Sequence, residues 1–265
     1  MTAWEGARVL ITGASSGIGA AIARDLAGQG AVVGICARRT ELLETVLADC
    51  KQRSPQSRAW TTDLSRLGEL ESFVARVEDE LGGIDVLVNN AGVSLHGVAA
   101  ETPTATLEEQ LRINFLSPIR LTQAALPGMQ RRGDGRVVVL SSMAARTSTP
   151  GEAAYAAAKS ALTSFFEAWA GELAGGPIRF HLVYPALIEI ISNADGDDAL
   201  AVSSNGATPI PAPVCARAIR RGVDAGEFEI YVPQPMQGWV ADRVRDVAGA
   251  VSFMGRLYQQ GKLPS

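Results

Sequence analysis

Tyr155 and Lys159 are the two residues whose types and spacing most clearly indicate chemistry. Four residues apart on a helix, they would share one face, and the ammonium would favour the ionised form of the phenol. A free tyrosine has a pKa near ~10, so a base that works at neutral pH needs a shift of about three units. One positive charge at ~4 Å supplies about that much at an effective dielectric of ~20. We therefore predict a proton-transfer pair in which Lys159 lowers the pKa of Tyr155.

A glycine-rich turn near the start of the chain is suited to holding a phosphate group. It occupies residues 12–19, between an apolar strand-like run and a helix-like run in which Ile18, Ile22 and Leu26 share one face. Glycine lets the backbone approach a pyrophosphate closely, and the first turn of the helix offers free N–H groups. The spacing, GxxxGxG, differs from the common GxGxxG, and by itself it would also fit a tight turn that begins a helix. The residues predicted to bind a dinucleotide here are Gly13, Ser15, Ser16, Gly17, Ile18 and Gly19.

The residues after the second strand-like run indicate which dinucleotide binds. NAD-dependent proteins place an acidic residue near this point, where it binds the ribose 2′-hydroxyl. In this chain Ala37 stands there, followed by Arg38 and Arg39. A guanidinium attracts a 2′-phosphate and bonds it through a planar fork. We therefore predict NADP(H) as the cofactor; the alternative is two solvated surface arginines before a helix.

Seven strand-like runs alternate with helix-like runs along the chain. This alternation is typical of a parallel sheet covered by helices on both faces. The helical pattern is clearest over 67–81, where apolar residues recur along one stripe. We predict an α/β fold, a single doubly wound Rossmann-like domain with a central seven-stranded parallel sheet. The predicted strands are 7–12, 31–36, 58–62, 84–88, 135–141, 178–184 and 228–232.

Two segments depart from this alternation. Residues 189–213 are rich in Gly, Ser, Asn, Asp and Pro, which predicts a lid-like loop over the substrate. We expect the catalytic domain to span 1–232, and 233–265 to be a helical extension of it. Apolar residues of the extension recur in steps of four and three, which predicts one amphipathic helix. That stripe consists of Val240, Val244, Val247, Val251, Met254 and Tyr258.

The apolar stripe has three possible contacts: its own domain, another subunit or a membrane surface. The membrane alternative is opposed by Asp242 and Asp246, which offset the charges of Arg243 and Arg245. Membrane association is therefore not expected.

Composition limits the classes of function. The chain has 265 residues, 47% of them hydrophobic and 20% charged, as in globular proteins with a sizeable core. The net charge is −4, the pI is near 5.3 and no long basic run occurs, which argues against nucleic acid as a partner. No apolar run reaches the ~20 residues that span a bilayer, and the first residues do not resemble a signal peptide. Three cysteines without paired or metal-like spacing indicate a reducing compartment, so we expect a cytoplasmic protein without a metal.

Further motifs in a fixed order accompany the glycine turn and the Tyr155–Lys159 pair. Over roughly residues 6 to 232, they make the chain resemble the short-chain dehydrogenase/reductase family. The resemblance implies the fold predicted above and reversible hydride transfer between a nicotinamide dinucleotide and a carbonyl carbon. The motifs are TGASSGIG at 12–19, Asp63-Leu64, Asn89-Asn90-Ala91-Gly92, Asn114, Ser142 and YAAAK at 155–159, with Tyr155 thirteen positions after Ser142.

The resemblance implies a role for each catalytic candidate. Tyr155 would be the general acid in reduction and the general base in oxidation. Lys159 would also hold the nicotinamide ribose. Ser142 follows a strand, where doubly wound sheets bind ligands, and its hydroxyl would bond the substrate oxygen. Asn114 would anchor a water relay to the lysine.

The same resemblance implies contacts along the adenosine part of the cofactor. Asp63 would meet the adenine amino group, beside the backbone of Leu64. The stretch after the fourth strand would line the adenosine, where a glycine permits close approach of the backbone. The residues of that stretch are Asn90, Ala91 and Gly92.

The segment after the sixth strand departs from the family pattern, which commonly has Pro-Gly and then a threonine. Here Pro185 is followed by Ala186, and Ile190 stands where a hydroxyl is expected. Alanine costs energy wherever the backbone needs a positive φ. Pro185 and the backbone of Ile188 are still predicted to contact the nicotinamide side of the cofactor, without the hydroxyl that the family commonly supplies there.

The two histidines lie outside these motifs. His181 falls within a strand-like run and is predicted to be structural. His96 follows the Asn-Asn-Ala-Gly motif, so it either approaches the substrate or lies on the surface.

The leading hypothesis is an NADP(H)-dependent carbonyl reductase or alcohol dehydrogenase. Apolar residues after Pro185 hint at a hydrophobic small molecule as substrate. One alternative is a sensing or interaction protein that binds NADP(H) with little turnover; another is an epimerase- or dehydratase-type reaction on the same scaffold. In this family, helices equivalent to 113–131 and 153–161 commonly pair subunits, which implies a homodimer or homotetramer.

Overall fold

Seven parallel strands form the central sheet of the protein. The structure is a computed structural model that describes residues 4–186, 188–189 and 209–261. The strands of this sheet are β1 (Arg8–Thr12), β2 (Val32–Ala37), β3 (Arg58–Thr61), β4 (Val86–Asn89), β5 (Gly135–Leu140), β6 (Ile178–Pro185) and β9 (Glu229–Val232). They have the order β3-β2-β1-β4-β5-β6-β9, and every neighbouring pair is parallel. All seven predicted strands are confirmed to within two residues. Two further short strands, β7 (Ile188–Glu189) and β8 (Ile210–Pro211), form a separate parallel pair.

Helices cover both faces of this sheet. The predicted helix over 67–81 begins with a 3-10 turn at 67–69 and continues as an α-helix, and a π-helical turn at 112–116 joins the two α-helices on either side of it. The helices are α1 (Gly17–Gly28), α2 (Thr40–Lys51), α3 (Leu70–Leu81), α4 (Thr104–Leu111), α5 (Ser117–Arg132), α6 (Ala144–Thr147), α7 (Ala153–Glu172), α8 (Ala212–Asp224), α9 (Met236–Arg245) and α10 (Val247–Gln259).

Alternation along β1 shows how the core is divided between the two faces. Val9 and Ile11 pack into the cluster that also contains residues of α1, α2 and α8. Leu10, between them, packs into the cluster that contains residues of α3, α5 and α7. Successive side chains of a strand point to opposite faces, and in a parallel sheet both faces are covered. The strands are therefore apolar almost throughout, as in the run from Val137 to Leu140.

The strand order reverses between β1 and β4. From β1 the chain runs outward to β2 and β3, and it then returns to place β4 on the other side of β1. The loops that leave the carboxyl ends of β1 and β4 consequently diverge, and the crevice between them is where doubly wound sheets bind ligands.

The predicted lid-like loop at 189–213 is only partly within the described residues. Ile188–Glu189 pairs in parallel with Ile210–Pro211, and α8 begins at Ala212, so both ends of the segment have regular structure. Residues 190–208 lie outside the described residues, and with them the greater part of that prediction.

The C-terminal extension forms two helices, so the prediction of one amphipathic helix is wrong. The helical conformation is interrupted at Asp246, whose φ of −142° and ψ of 79° are not helical. The Asp246 carboxylate accepts a 2.8 Å hydrogen bond from the N–H of Gly249 and caps α10. Met254 is buried, whereas Val244 and Val251 are exposed. A local capping interaction thus overrides the regular spacing of the apolar stripe. Within the described residues no helix is long and apolar enough to cross a membrane.

Candidate active site

The Tyr155–Lys159 pair lies in the first two turns of α7, beside the carboxyl end of β5. Lys159 is buried, with 4% of its surface exposed, and its Nζ donates a 2.7 Å hydrogen bond to the carbonyl oxygen of Leu140. Burial lowers the pKa of Lys159 to about 8, because desolvation penalises the ammonium. The Nζ atom lies 5.8 Å from the centroid of the Tyr155 ring.

The prediction that Lys159 lowers the pKa of Tyr155 is wrong for the polypeptide alone. Burial raises the pKa of Tyr155 to about 12, a hydrogen bond with Ser142 opposes the shift, and the charge of Glu152 adds to it. A full ammonium charge ~4 Å from the phenol would lower its pKa by about three units. In the structure that ammonium donates to a backbone carbonyl, and desolvation disfavours the phenolate more strongly than its neighbours favour it.

Two adjacent serines at the end of β5 have different surroundings. The Ser141 hydroxyl is buried and lies 2.7 Å from the Thr163 hydroxyl, which ties β5 to α7. The Ser142 hydroxyl accepts a 3.1 Å hydrogen bond from the N–H of Ala144 and bonds with the phenol of Tyr155. Ser142 is therefore the one of the two that faces the proton-transfer pair.

Asn114 holds the loop that follows β4. It is fully buried in the π-helical turn, a distortion often found at functional sites. Its Oδ1 accepts from the N–H of Val93 at 3.0 Å, and its Nδ2 donates to the Val93 carbonyl at 2.8 Å. Gln110, one turn earlier and also buried, accepts from Asn114 and donates to the carbonyl of Leu95. Gln110 was not among the predicted site residues, although its four-residue spacing from Asn114 could have indicated it.

Gly92 brings the β4 loop, Asn114 and Lys159 together. A Cβ atom at this position would lie 2.8 Å from Oδ1 of Asn114 and 3.5 Å from Nζ of Lys159. The contact with Asn114 is too short for a Cβ atom and that with Lys159 is an ordinary one, so the close approach of Asn114 is what requires glycine here.

The glycine turn forms a cradle in which Gly13 has no room for a side chain. Gly13 and Gly17 have φ values of 67° and 55°, and a Cβ at Gly13 would lie 2.7 Å from Cα of Ala91. The N-cap residue Ser16 does not cap α1 with its side chain, so the N–H groups of the first helical turn are available to an anion. These features fit the diphosphate of a dinucleotide. Ile18, within that turn, packs against the core of the α1 face, and Gly19 is buried beside Asn90.

Thr12 and Asn90 join this cradle to the loop after β4. The Thr12 hydroxyl accepts hydrogen bonds of 3.0 Å from the N–H groups of Asn90 and Ala91. The Asn90 side chain donates to the carbonyls of Thr12 at 2.8 Å and Gly13 at 3.1 Å. Asn90 therefore shapes the cradle through the backbone. Thr12 was absent from the predicted site residues, and its place at the end of β1 was the available signal.

The two arginines after β2 have separate surroundings. The Arg39 guanidinium donates to the hydroxyls of Ser16 at 2.6 Å and Ser15 at 3.2 Å, beside the glycine turn. Arg38 is exposed, and its charge contributes to the lowered pKa of Asp63. The main cause of that lowered pKa is a hydrogen bond from the backbone N–H of Ser65. Leu64, next to Asp63, is buried.

The Pro185–Ala186 step carries no backbone strain. The Pro185 carbonyl accepts a 3.0 Å hydrogen bond from the N–H of Met143, and the N–H of Ala186 donates to Val232 at 2.8 Å. Among the described residues, Ser148 is the only non-glycine residue with a positive φ. Alanine at 186 is therefore accommodated where the family commonly has glycine. Ile188 lies in β7, and Ile190 is outside the described residues.

The histidines have different environments. His181 is buried in β6 and its Nδ1 lies 2.6 Å from the carbonyl oxygen of Glu227, which agrees with a structural role. His96 lies near the start of α7, with its Nε2 3.8 Å from Oε1 of Glu152. The described part of the chain contains no group of three or more His, Cys, Asp or Glu side chains that could hold a metal ion.

Comparison with known proteins identifies the family. A family model described as short chain dehydrogenase matches residues 7–198. Nodulation protein G of Rhizobium sp. (strain N33) is 36% identical over 184 residues, which cover 69% of this chain and 74% of that protein. The crystal structure of a short-chain dehydrogenase from Streptomyces avermitilis superposes with a TM-score of 0.81 at 29% identity, covering 97% of this chain and 98% of that one.

Two further solved structures contain nucleotide cofactors of different types. An alcohol dehydrogenase from Thermococcus sibiricus, complexed with 5-hydroxy-NADP, has a TM-score of 0.75 at 26% identity over 86% of this chain and 96% of that one. A short chain dehydrogenase/reductase from Burkholderia phymatum in complex with NAD has a TM-score of 0.82 at 20% identity, over 93% of this chain and 96% of that one. At this identity the likeness shows the fold alone. With the family model matching most of its length, the chain belongs to the short-chain dehydrogenase/reductase family.

Proposed function

We propose that this protein is an NADP(H)-dependent oxidoreductase that interconverts a carbonyl and a hydroxyl group of a small molecule. The observation that carries the proposal is the convergence of Ser142, Tyr155 and Lys159 at the carboxyl edge of the sheet. Asn114 and Gly92 connect these side chains to the loop after β4, which also shapes the glycine cradle.

Each side chain has a defined task in this proposal. The dinucleotide, when bound, supplies the hydride in reduction and accepts it in oxidation. Ser142 orients the substrate oxygen by a hydrogen bond, and Tyr155 donates a proton to that oxygen. Because the pKa of Tyr155 is raised to about 12, the phenol is protonated at neutral pH and ready to act as an acid. Lys159, with a pKa of about 8, is mostly charged at neutral pH and stabilises the phenolate that remains.

The choice of NADP(H) over NAD(H) is supported by charge. Arg39 lies against the serine hydroxyls of the glycine turn, and Arg38 follows β2 directly. Ala37 leaves no carboxylate at the end of β2 to repel a 2′-phosphate. The remaining predicted cofactor contacts, Asp63, Leu64, Asn90, Ala91, Pro185 and Ile188, belong to the same proposal.

The decisive test of the proton-transfer role is Tyr155→Phe. We expect kcat to fall by about 10²–10⁴, the range that general acid–base catalysis contributes, with cofactor affinity retained. The measurement is the rate of NADPH consumption with a panel of ketones, quinones, steroids and keto-acyl thioesters as substrates. Tyr258→Phe, on α10, removes the same hydroxyl from another part of the chain and is expected to leave the rate unchanged. Equal rates for wild type and Tyr155→Phe would refute the role.

A second test separates the two cofactors. We expect Arg39→Ala and Arg38→Ala each to raise KM for NADPH by about tenfold, because each loses one charge-assisted contact to a 2′-phosphate. KM for NADH should change little. Arg53→Ala, an exposed arginine in the turn after α2, is the matched control. Wild-type preference for NADH would contradict the cofactor proposal and leave the proton-transfer role standing.

A sensing role remains the second candidate, because apolar residues of the C-terminal helices are exposed. Val244, Val247 and Val251 are 69%, 47% and 57% exposed, a surface suited to a partner. In a sensor, Tyr155→Phe would leave the output unchanged. We also propose a homodimer or homotetramer in the cytoplasm; exposed Leu116 and Phe165 lie at the helices expected to pair subunits.

A further inference from the structure

Gln110 is a buried polar side chain whose hydrogen bonds join the π-helical turn to the loop after β4. It lies in the last turn of α4, four residues before Asn114, and none of its surface is exposed. Its Oε1 accepts a 3.2 Å hydrogen bond from Nδ2 of Asn114, and its Nε2 donates a 2.9 Å hydrogen bond to the carbonyl oxygen of Leu95. Burying an amide group costs free energy unless its hydrogen bonds are made, so these two bonds are what allow a glutamine at this place.

The backbone determines the orientation of both side-chain amide groups. The Leu95 carbonyl can only accept, so Gln110 must turn its Nε2 toward Leu95 and its Oε1 toward Asn114. Asn114 must therefore present Nδ2 to Gln110. Its bonds with Val93 agree, because Nδ2 donates to the Val93 carbonyl and Oδ1 accepts from the Val93 N–H. Both protons of Nδ2 thus have an acceptor, one on the loop and one on α4.

This arrangement holds the amide oxygen of Asn114 at the centre of the site. A Cβ atom at Gly92 would lie 2.8 Å from Oδ1 of Asn114 and 3.5 Å from Nζ of Lys159, so both atoms border the same position. Without the acceptor on Gln110, one N–H of Asn114 would be buried and unpaired. That cost favours rotation of the Asn114 side chain away from its two bonds with Val93. Gln110 thus acts on the site through Asn114.

We propose that Gln110 is a positioning residue that completes the hydrogen bonds of Asn114 and so keeps the Asn114 amide and the loop after β4 in the arrangement that the reaction needs. The inference rests on the proposed function, in which Asn114 connects the catalytic side chains to that loop. The acceptor that Gln110 offers to Asn114 is the essential part of this role. The bond to Leu95 fixes the direction of the Gln110 amide and holds the loop at a second place.

The first test compares Gln110→Met with Gln110→Glu, two side chains of similar length. Methionine removes the oxygen that accepts from Asn114. Glutamate keeps an oxygen that accepts from Asn114 in either protonation state, although an ionised carboxylate loses the bond to Leu95. We expect kcat to fall about tenfold in Gln110→Met, less than the ~10²-fold that a misplacement of 1 Å can cost. In Gln110→Glu, kcat should stay within about twofold of wild type, and KM for the cofactor should be unchanged in both variants.

Stability measurements separate this role from a merely structural one. Both substitutions disturb buried hydrogen bonds, so both should lower the midpoint of urea unfolding, whereas only Gln110→Met should lower kcat. Gln52→Met, the same substitution at the exposed end of α2, is the control and should change neither quantity. The proposal would be overturned by a kcat that falls together with the unfolding midpoint in both variants, or by an unchanged kcat in Gln110→Met.

Amide hydrogen exchange measures the same effect without turnover. The Val93 N–H is bonded to Asn114, whereas the Ala91 N–H in the same loop is bonded to the end of β1 and is the internal reference. In Gln110→Met, exchange at Val93 should be about tenfold faster than in wild type, the factor that corresponds to one buried hydrogen bond, with Ala91 unchanged. This result is expected even if the protein catalyses no reduction and the proposed function fails. Unchanged exchange at Val93 would overturn this inference alone.

Discussion

Lys159 makes the stability of this protein depend on pH in an unusual direction. Its pKa is lowered from 10.5 to about 8 by burial. Between these values the unfolded chain binds a proton that the folded protein has lost. The free energy of unfolding therefore rises with pH from about 8 to about 10.5, by up to about 3 kcal/mol from this residue. Tyr155, whose pKa is raised from 10.0 to about 12, acts in the opposite sense only above pH 10.

The variant Lys159→Met should remove this dependence. Its free energy of unfolding, measured in urea at pH 7, 8, 9 and 10, should exceed that of wild type at pH 7, with a gap that closes toward pH 10. Lys51→Met, at the exposed end of α2, is the control and should follow wild type at every pH. A constant gap between Lys159→Met and wild type would mean that the buried amine is not the cause.

At the scale of elements, the loop after β4 is the part that brings the cofactor side and the catalytic side together. Its backbone bonds to Thr12 at one end and to Asn114 further along. Gly92 lies between these two attachments, against Asn114 and Lys159. Any side chain at this position must displace Asn114.

We expect Gly92→Ala to lower the free energy of unfolding by about 1–3 kcal/mol, the cost of overpacking. It should also weaken cofactor binding by about tenfold, because the loop and Asn114 move apart. Both quantities would be measured, by urea unfolding and by cofactor titration. Gly97→Ala in the same loop is the matched control, because its Cβ would lie 3.7 Å from the nearest atom, Oγ1 of Thr102. Similar losses in both variants would locate the effect in loop flexibility instead.

At the scale of the whole molecule, Arg146 connects parts of the fold that are distant in the chain. It lies on α6, immediately after the Ser142 turn, and donates to Glu167 on α7 at 2.7 Å and to the Tyr184 hydroxyl on β6 at 2.6 Å. It also pairs with Glu229 on β9, and its guanidinium lies 4.6 Å from the centroid of the Tyr184 ring. Arg146 thus connects α6, which follows Ser142, with α7, β6 and β9.

Arg146→Ala should lower the free energy of unfolding by about 2–3 kcal/mol, because it leaves two carboxylates facing each other without a cation. The comparison is Arg24→Ala, which breaks the Arg24–Asp49 pair of two 44%-exposed side chains and should cost less than about 1 kcal/mol. Urea unfolding at pH 7 measures both. Equal costs would show that the Arg146 network adds no more than a surface pair.

The sequence by itself determined the fold and supplied the candidate site residues, except Thr12 and Gln110, which only the structure brought to the site. Strand and helix patterns repeat every two or 3.6 residues, so neighbours in the chain suffice to reveal them, as in β1 and α3. The motifs from the glycine turn to Lys159 also consist of residues close together in the chain, and their order carried the family resemblance.

Only the tertiary structure decided the electrostatics and the exceptions to the patterns. The pKa of Tyr155 depends on burial and on Glu152 and Ser142, and the position of Arg39 depends on hydroxyls 23 and 24 residues away. The capping bond of Asp246 ended a helix that the apolar spacing would have continued. Desolvation and charge act through space, and chain folding brings those groups together, so no periodicity along the sequence records them.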